Sequence, residues 1–250
     1  MTVSYPSPAN APRGDERLAK RVAAMVPCSR REAEHMIEVG GVRVDGQVVE
    51  EPMFRVSNQR VVIDVAAGKT QLEAVTLLLH RSAGVAAPAA PLLTVANHDP
   101  QDASGVRPLK RHLENLRAAA ELEPGTSGLV VFTQDWRVLR KLSEDAQLME
   151  HEVMVEVAGA VSPASLQRLN QGFAVDDLAH AGVKVSINSA GKATSGLRFA
   201  YKGAHPGLIA LLCNRVGLQI LKMKRIRIGR VAMGQLPPGQ WRYLRRDERF

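Results

Sequence analysis

Cysteine is scarce in this chain, which has Cys28 and Cys213 among its 250 residues. Two cysteines are too few for a disulfide framework, and neither they nor the seven scattered histidines have the spacing of a zinc site, so we expect no metal. Long apolar runs are missing as well. The longest, 83–95, is rich in Ala and Pro and falls short of the roughly 18 residues that a membrane helix needs. These absences predict a cytoplasmic protein without a membrane segment.

Aromatic residues make up only 4% of the chain, so stacking on single-stranded bases is a poor main mode of binding. Motifs of other enzyme classes are also missing, since there is neither a Gly-rich phosphate loop nor a Gly-x-Ser-x-Gly sequence. Acidic residues are outnumbered, which gives a net charge of +8. The segment 219–250 alone holds nine Lys or Arg against Asp247 and Glu248. This excess predicts a polyanionic partner.

The chain length and the hydrophobic content of 45% allow a sizeable core and suit one medium domain and one small one. Residues 1–14, MTVSYPSPANAPRG, lack apolar periodicity and predict a disordered arm. The polar stretch 65–74 is the predicted linker. We therefore expect a small domain at 15–64 and a larger domain at 75–250.

The small domain is predicted to contain two helices followed by a hairpin. The segment ERLAKRVAAMV places apolar residues at helical spacing and predicts the first helix. Ser29 and Glu32 predict a capping box at the start of the second helix. Asp45-Gly46, between two apolar stretches, predicts the hairpin turn, and 60–64 predicts a third strand.

This order of elements, centred on CSRREAEHMIEVGGVRVDGQVV, resembles the αL RNA-binding module of a small-subunit ribosomal protein, some tRNA synthetases and the rRNA pseudouridine synthases. The resemblance implies a surface of basic side chains that contacts RNA phosphates. The alternative is that these charges are merely solvated, since 13–60 carries nine basic and eight acidic side chains. The candidate RNA-binding residues are Arg17, Lys20, Ser29, Arg30, Arg31 and Arg43, with Arg21 beside them.

The larger domain is predicted to be rich in strands, with helices between them. Such a mixture predicts an α+β fold with a mixed sheet. The predicted strands are 74–80, one within 121–135, 151–157, 183–188, 195–201, 218–228, 231–236 and 241–244, and the predicted helices are 109–120, 136–146, one from 162, and 206–215.

Two segments of this domain resemble the rRNA pseudouridine synthase family. In ELEPGTSGLVVFTQD, residues 121–135, a Gly-Leu-Val and a Thr-x-Asp match the family's Gly-Leu-Leu and Thr-x-Asp, which follow an Arg-Leu-Asp triplet. The closing ILKMKRIRIGRVAMGQLPPGQWRYL matches a Leu-Lys-Arg-Val-Arg-Ile-Gly run followed by Leu-Pro-Pro-Gly-x-Trp. In this closing segment Lys224, Arg225 and Arg227 are candidates for RNA contact, with ordinary ion pairing as the alternative.

The resemblance implies isomerisation of uridine to pseudouridine, without cofactor or metal, by an Asp carboxylate that acts on a flipped-out nucleotide. Glu123 stands at the position of that Asp, and Glu121 stands where the family has an Arg. Val153 stands at the position of the Tyr that packs on the base, and 205–210 lacks the arginines of the family. We therefore expect a family member that binds structured RNA, namely rRNA or ribosome assembly intermediates, and that has lost isomerisation.

Two alternatives stay open. The chain is an active synthase if Glu123 serves as the nucleophile in place of the family Asp. It is a protein-interaction scaffold if the helix at 208–213, where Leu, Ile and Ala replace arginines, presents an apolar face to a protein partner. A structure that buries Leu208, Leu211 and Leu212 would remove the reason for the scaffold.

Overall fold

The computed structural model of the protein describes residues 15–66, 73–85, 87, 89–171 and 182–250. These residues form two compact units. The first holds the described positions up to 74 together with 107–114, and the second holds those within 75–106 and 115–250. The predicted arm at 1–14 and most of the predicted linker at 65–74 lie outside the described residues.

Residues 107–114 belong to the first unit, although the sequence places them in the larger domain. They are fixed there by acidic side chains of the first unit. The backbone N–H of Lys110 donates to Glu50 Oε2 at 2.8 Å, and Arg107 pairs with the same carboxylate at 3.6 Å. A non-local charge contact of this kind leaves no local pattern in the sequence.

The first unit is built from two short helices and five short strands. Strands β3, β2 and β5 form an antiparallel sheet in that order, and β1 pairs with β4. The helices pack on these strands through apolar side chains such as Leu18, Val22 and Ile37, all fully buried. The elements are β1 (Glu16–Arg17), α1 (Leu18–Met25), α2 (Arg30–Glu38), β2 (Val42–Val44), β3 (Gln47–Val48), β4 (Arg55–Val56) and β5 (Val61–Ile63).

Local sequence signals account for this unit. The predicted capping box is confirmed, because Ser29 Oγ accepts from the backbone N–H of Glu32 at 3.2 Å and the Glu32 carboxylate accepts from the backbone N–H of Ser29 at 2.7 Å. The predicted hairpin turn is confirmed too. Asp45 and Gly46 have φ of 48° and 84°, the two left-handed residues that a tight hairpin turn needs.

The second unit is a mixed sheet with helices packed against it. Its strands follow the order β10-β11-β9-β12-β8-β6-β14, with β13 beside β12 and β7 beside β8. The β8–β12 pair is parallel and the others are antiparallel, so the predicted α+β class with a mixed sheet is confirmed. The elements are β6 (Thr76–Arg81), β7 (Arg117–Ala119), β8 (Thr126–Thr133), α3 (Trp136–Glu144), β9 (Glu150–Ala158), α4 (Pro163–Gln171), β10 (Lys184–Ser189), β11 (Thr194–Lys202), α5 (Leu208–Arg215), β12 (Ile220–Ile228), β13 (Val231–Ala232) and β14 (Trp241–Tyr243).

One predicted helix, 109–120, is wrong. The chain makes only a short 3₁₀ turn at Lys110–Leu113, and Asn115 then adopts φ of 52°, a left-handed conformation that interrupts a helix. Residues Arg117–Ala119 continue as β7, which pairs with β8. The helix-forming Leu-Arg-Ala-Ala-Ala sequence is overridden because strand pairing in the folded chain outweighs local propensity.

No helix within the described ranges is long and apolar enough to cross a bilayer. Among the same residues, no group of three or more His, Cys, Asp or Glu side chains is arranged to hold a metal ion.

Candidate functional site

A cleft of about 170 Å³ lies in the second unit, where the loop before β8 meets the first residues of β9, the last residues of β11 and the middle of β12. Acidic, basic and aromatic side chains line it together with apolar ones. Its polar and aromatic lining includes Glu121, Glu123, His151, Tyr201, His205 and Arg225.

The loop at 120–125 carries the two glutamates that the resemblance singled out. This loop is not part of a strand, because β8 begins only at Thr126, and Gly125 turns the chain with φ of 76°. Glu121 is exposed and Glu123 is half-buried. Among the described residues, no hydrogen bond or ion pair engages the Glu123 carboxylate. The carboxylate is therefore available to a ligand in the cleft.

Arg225 lies beneath this loop and is 7% exposed. Its guanidinium donates to the backbone carbonyl oxygens of Leu129 at 2.7 Å, Glu121 at 3.0 Å and Ala120. Burial lowers the pKa of this guanidinium to about 10, and the nearby negative charge of Glu123 offsets part of this lowering. Arg225 was predicted to contact RNA, but its donors are directed to backbone carbonyls instead.

Arg81, at the end of β6, is the second buried cation beneath the loop. It is 5% exposed and donates from Nη2 to the carbonyl oxygens of Thr126 at 3.0 Å and Glu123 at 3.2 Å. No pattern in the sequence predicts a role for this residue. Together, the two arginines hold the loop through its backbone, and its side chains are not needed to fix its shape.

Two rings, His151 and Tyr201, face the cleft from paired positions on β9 and β11. Their centroids are 5.8 Å apart, with an angle of 32° between the planes. Burial, reinforced by the charges of Arg225 and Arg227, lowers the pKa of His151 to about 4, so the imidazole is neutral at physiological pH. Its Nδ1 has no hydrogen-bond partner in the part of the chain that the structure describes.

The cleft contains an aromatic ring that the resemblance does not predict. Val153, which the resemblance sets at the position of the family Tyr, lines the cleft. Tyr201, however, contributes a ring from the neighbouring strand, and burial raises the pKa of its hydroxyl. No signal in the sequence marks this residue, because its approach to His151 depends on the register of two strands that are distant in the chain.

Part of the positive charge of the closing segment is paired with acidic side chains. Arg227 pairs with Glu152 at 2.6 Å and with Glu150, so this predicted RNA-contacting residue instead holds β9 and β12 together. Arg242 pairs with Glu248 at 2.8 Å. Lys224 is half-buried on β12. Ion pairs therefore engage part of the charge excess of this segment, whereas Arg230, Arg246 and Arg249 are exposed.

The predicted RNA-binding residues of the first unit have different surroundings. Arg17, Lys20, Arg31 and Arg43 are exposed, and so is Arg30, which pairs with Glu34 at 3.0 Å in an i,i+4 contact on the surface of α2. Ser29 is engaged as the helix cap, so its hydroxyl has a structural role. Arg21, placed beside them by the sequence, is only 2% exposed and bonds to Glu16 and to the carbonyl oxygen of Ser57, which excludes phosphate contact.

The helix α5 turns most of its apolar side chains into the protein. Leu208, Ile209 and Leu212 are buried in the cluster that covers the sheet, and Leu211 is half-buried. Because Leu211 is only half-buried, this packing removes part of the apolar surface on which a protein partner at 208–213 was expected.

Known proteins are similar to this chain in both units. The S4 domain model matches residues 16–62. An uncharacterized RNA pseudouridine synthase of Aquifex aeolicus is 24% identical over 234 residues, covering 93% of this chain and 91% of the relative. The ribosomal large subunit pseudouridine synthase B of Escherichia coli K12 is 26% identical over 239 residues, covering 92% of this chain and 79% of the relative.

A solved structure also matches over nearly the whole chain. The crystal structure of a pseudouridylate synthase superposes with a TM-score of 0.53 at 16% identity, and the match covers 91% of this chain and 95% of the other. At this identity the likeness concerns the fold.

Proposed function

Because the chain belongs to the RNA pseudouridine synthase family and carries an N-terminal S4 domain, we propose that it binds structured RNA in the cytoplasm and no longer isomerises uridine. The expected RNA is rRNA or a ribosome assembly intermediate. The observation that carries the proposal is the charge pattern of the cleft. Two glutamates stand on its loop, and the two buried arginines nearby already donate to backbone carbonyls.

The geometry of the reaction supports the loss of isomerisation. A nucleophile must be held close to its productive position, and a displacement of about 1 Å can reduce the rate on the order of 100-fold. Glu123 is one methylene longer than the family Asp, and Glu121 adds a negative charge where the family has an Arg. The longer side chain moves the carboxylate away from its productive position, and the added negative charge repels the anionic backbone of the nucleotide. Both changes therefore disfavour attack by the carboxylate.

The first unit supports RNA binding. Arg17, Lys20, Arg30, Arg31 and Arg43 all expose their charges to solvent, where they can contact phosphates. Each phosphate that a cation neutralises releases counterions. The association constant should therefore fall by about 0.7 to 0.9 log unit per tenfold rise in salt for each contact.

Salt-dependent binding to rRNA fragments tests this proposal. We expect Arg31→Ala to weaken binding at low salt. It should also reduce the magnitude of the slope of log affinity against log salt by about 0.7 to 0.9, the contribution of one phosphate contact. Arg140→Ala is the matched control, because Arg140 is an exposed arginine of the second unit that pairs with Glu144. An affinity that does not change with salt, or equal effects of the two variants, would contradict phosphate contact by α2.

Loss of isomerisation is tested by mapping pseudouridine in rRNA and assembly intermediates after incubation with the purified protein. We expect no conversion. The second candidate, an active synthase that uses Glu123, is favoured by one observation: Tyr201 and Arg225 line the same cleft as this carboxylate. In that case conversion occurs, Glu123→Gln abolishes it, and the neighbouring Glu121→Gln retains it.

A further inference from the structure

The strands β10, β11, β9 and β12 have two different faces. On one face, large apolar side chains such as Val155, Leu197 and Phe199 pack in the cluster that includes α4 and α5, and the cleft residues His151 and Tyr201 lie on the same side. The alternate residues of the four strands form the opposite face, which we call the open face. Its basic residues are Lys184, Arg198, Lys202, Lys222, Lys224 and Arg227.

The acidic residues of the open face are already engaged by some of these basic ones. The pairs are Glu150 with Arg227, Glu152 with Arg198 and Arg227, and Glu156 with Lys222. Three carboxylates are thus balanced by three basic side chains of neighbouring strands. The other three basic residues make up an excess of positive charge.

This excess consists of Lys184, Lys202 and Lys224, which have no acidic partner among the described residues. Lys184 and Lys202 are exposed, and Lys224 is half-buried. Lys184 is opposite Ala200, so Lys202 is its diagonal neighbour at about 7 to 8 Å. Lys224 lies on β12, three strand spacings or roughly 15 Å from β10. Unpaired ammonium groups spread over such a surface attract a polyanion.

The surface between the lysines is poor in apolar groups. Gly196 and Ala200 contribute little side chain, Ser186 is exposed, and Met154 is half-buried. Protein interfaces are instead centred on buried apolar and aromatic side chains. A nucleic-acid duplex carries about one charge per 1.7 Å of its axis, so a stretch as long as this surface holds several phosphates. The open face therefore suits a phosphate backbone better than a protein.

We propose that Lys184, Lys202 and Lys224 contact the phosphate backbone of RNA on the open face, on the side of the sheet opposite to the cleft. The inference rests on the proposed function for the presence of RNA. It adds an RNA-contacting surface that belongs neither to the S4 domain nor to the cleft. RNA held on this surface needs no nucleotide in the cleft.

The salt dependence of binding to rRNA fragments tests the charges. We expect the double variant Lys184→Gln/Lys202→Gln to reduce the magnitude of the slope of log affinity against log salt by about 1.4 to 1.8, the contribution of two contacts. Lys110→Gln/Lys141→Gln is the matched control, because it lowers the net charge equally and both lysines pair with acidic residues away from the open face. The control should keep the wild-type slope. Equal slopes for the two double variants would overturn the proposal and leave the open face to an acidic protein.

Photo-crosslinking tests the location while every lysine stays in place. A cysteine introduced by Ser186→Cys and labelled with a photoreactive group should crosslink to the bound rRNA fragment. Ser143→Cys is the control, because Ser143 is exposed on α3 and does not belong to the open face. The unsubstituted protein gives the background from Cys28 and Cys213. Crosslinking at position 186 no stronger than at position 143 would overturn the proposal.

Failure of the proposed function gives a different result. If the wild type binds no rRNA fragment, RNA binding itself has failed, and a heparin column then tests the open face alone. We expect Lys184→Gln/Lys202→Gln to elute at lower salt than Lys110→Gln/Lys141→Gln. Elution of both at the same salt would overturn the assignment of the open face as a site for a polyanion.

Discussion

Gly128 is the residue at which β8 and β12 approach each other too closely for any side chain. Its φ is 114°, a conformation that favours glycine. A Cβ atom there would collide with the carbonyl oxygen of Arg225 and lie 2.7 Å from its amide nitrogen. Both are backbone atoms of the parallel strand pair, so no change of rotamer relieves the contact. Gly128→Ala must therefore move β12 and, with it, the guanidinium that holds the loop.

The expected loss of stability has two parts. The unfavourable backbone conformation costs about 1 to 3 kcal/mol once a Cβ is present. Displacement of the packed backbone by the extra carbon costs about 1 to 3 kcal/mol more. We expect the free energy of unfolding of the second unit to fall by roughly 2 to 6 kcal/mol, a large part of the total stability of an ordinary domain.

Urea unfolding followed by tryptophan fluorescence measures this change. Both tryptophans, Trp136 and Trp241, belong to the second unit, so the signal reports on that unit. Gly125→Ala is the control, because Gly125 also has positive φ but its added Cβ meets nothing within 4 Å. The control should lose only about 1 to 2 kcal/mol. Equal losses in the two variants would refute the argument that the close approach to Arg225 requires glycine.

Three further results follow from individual contacts. Ser29→Ala removes one half of the capping box and should destabilise α2 by about 1 kcal/mol, seen as faster amide hydrogen exchange in its first turn. Arg225→Met removes the donor to carbonyls of the loop and of β8 and should cost about 3 kcal/mol in urea unfolding, more than Arg227→Met, whose ion pairs are partly exposed to solvent. Burial holds the pKa of His151 at about 4, so between pH 6.5 and 4 the unfolded chain takes up a proton that the folded chain does not. The part of the free energy of unfolding that depends on neutral His151 should be fully present above pH 6.5 and fall by about 2 kcal/mol between pH 7 and pH 5. His151→Leu should remove this part of the fall.

The first unit could be predicted from the sequence because its signals are local. Ser29 and Glu32 are three residues apart and cap each other, and Asp45-Gly46 specifies a hairpin turn without help from the rest of the chain. The segment 107–114 could not be predicted in the same way. Its place in the first unit depends on charge contacts with a carboxylate about sixty residues earlier in the chain.

The roles of the basic residues of β12 could not be predicted from strand alternation. Simple alternation puts Arg225 and Arg227 on the same face and gives them the same surroundings. The register of β12 against β9 shifts between these two residues. As a result, Arg225 donates to carbonyls beneath the loop, while Arg227 pairs with Glu150 and Glu152. An irregularity of this kind depends on the partner strand and leaves no mark in the strand's own sequence.

The buried arginines explain how the loop that lines the cleft is held without help from its acidic side chains. Arg81 and Arg225 bind the loop at 120–126 through carbonyl oxygens, which every residue type provides. The shape of the loop therefore does not depend on the side chains at positions 121 and 123. Glutamates there change the chemistry of the cleft while its walls, including His151 and Tyr201, stay in place.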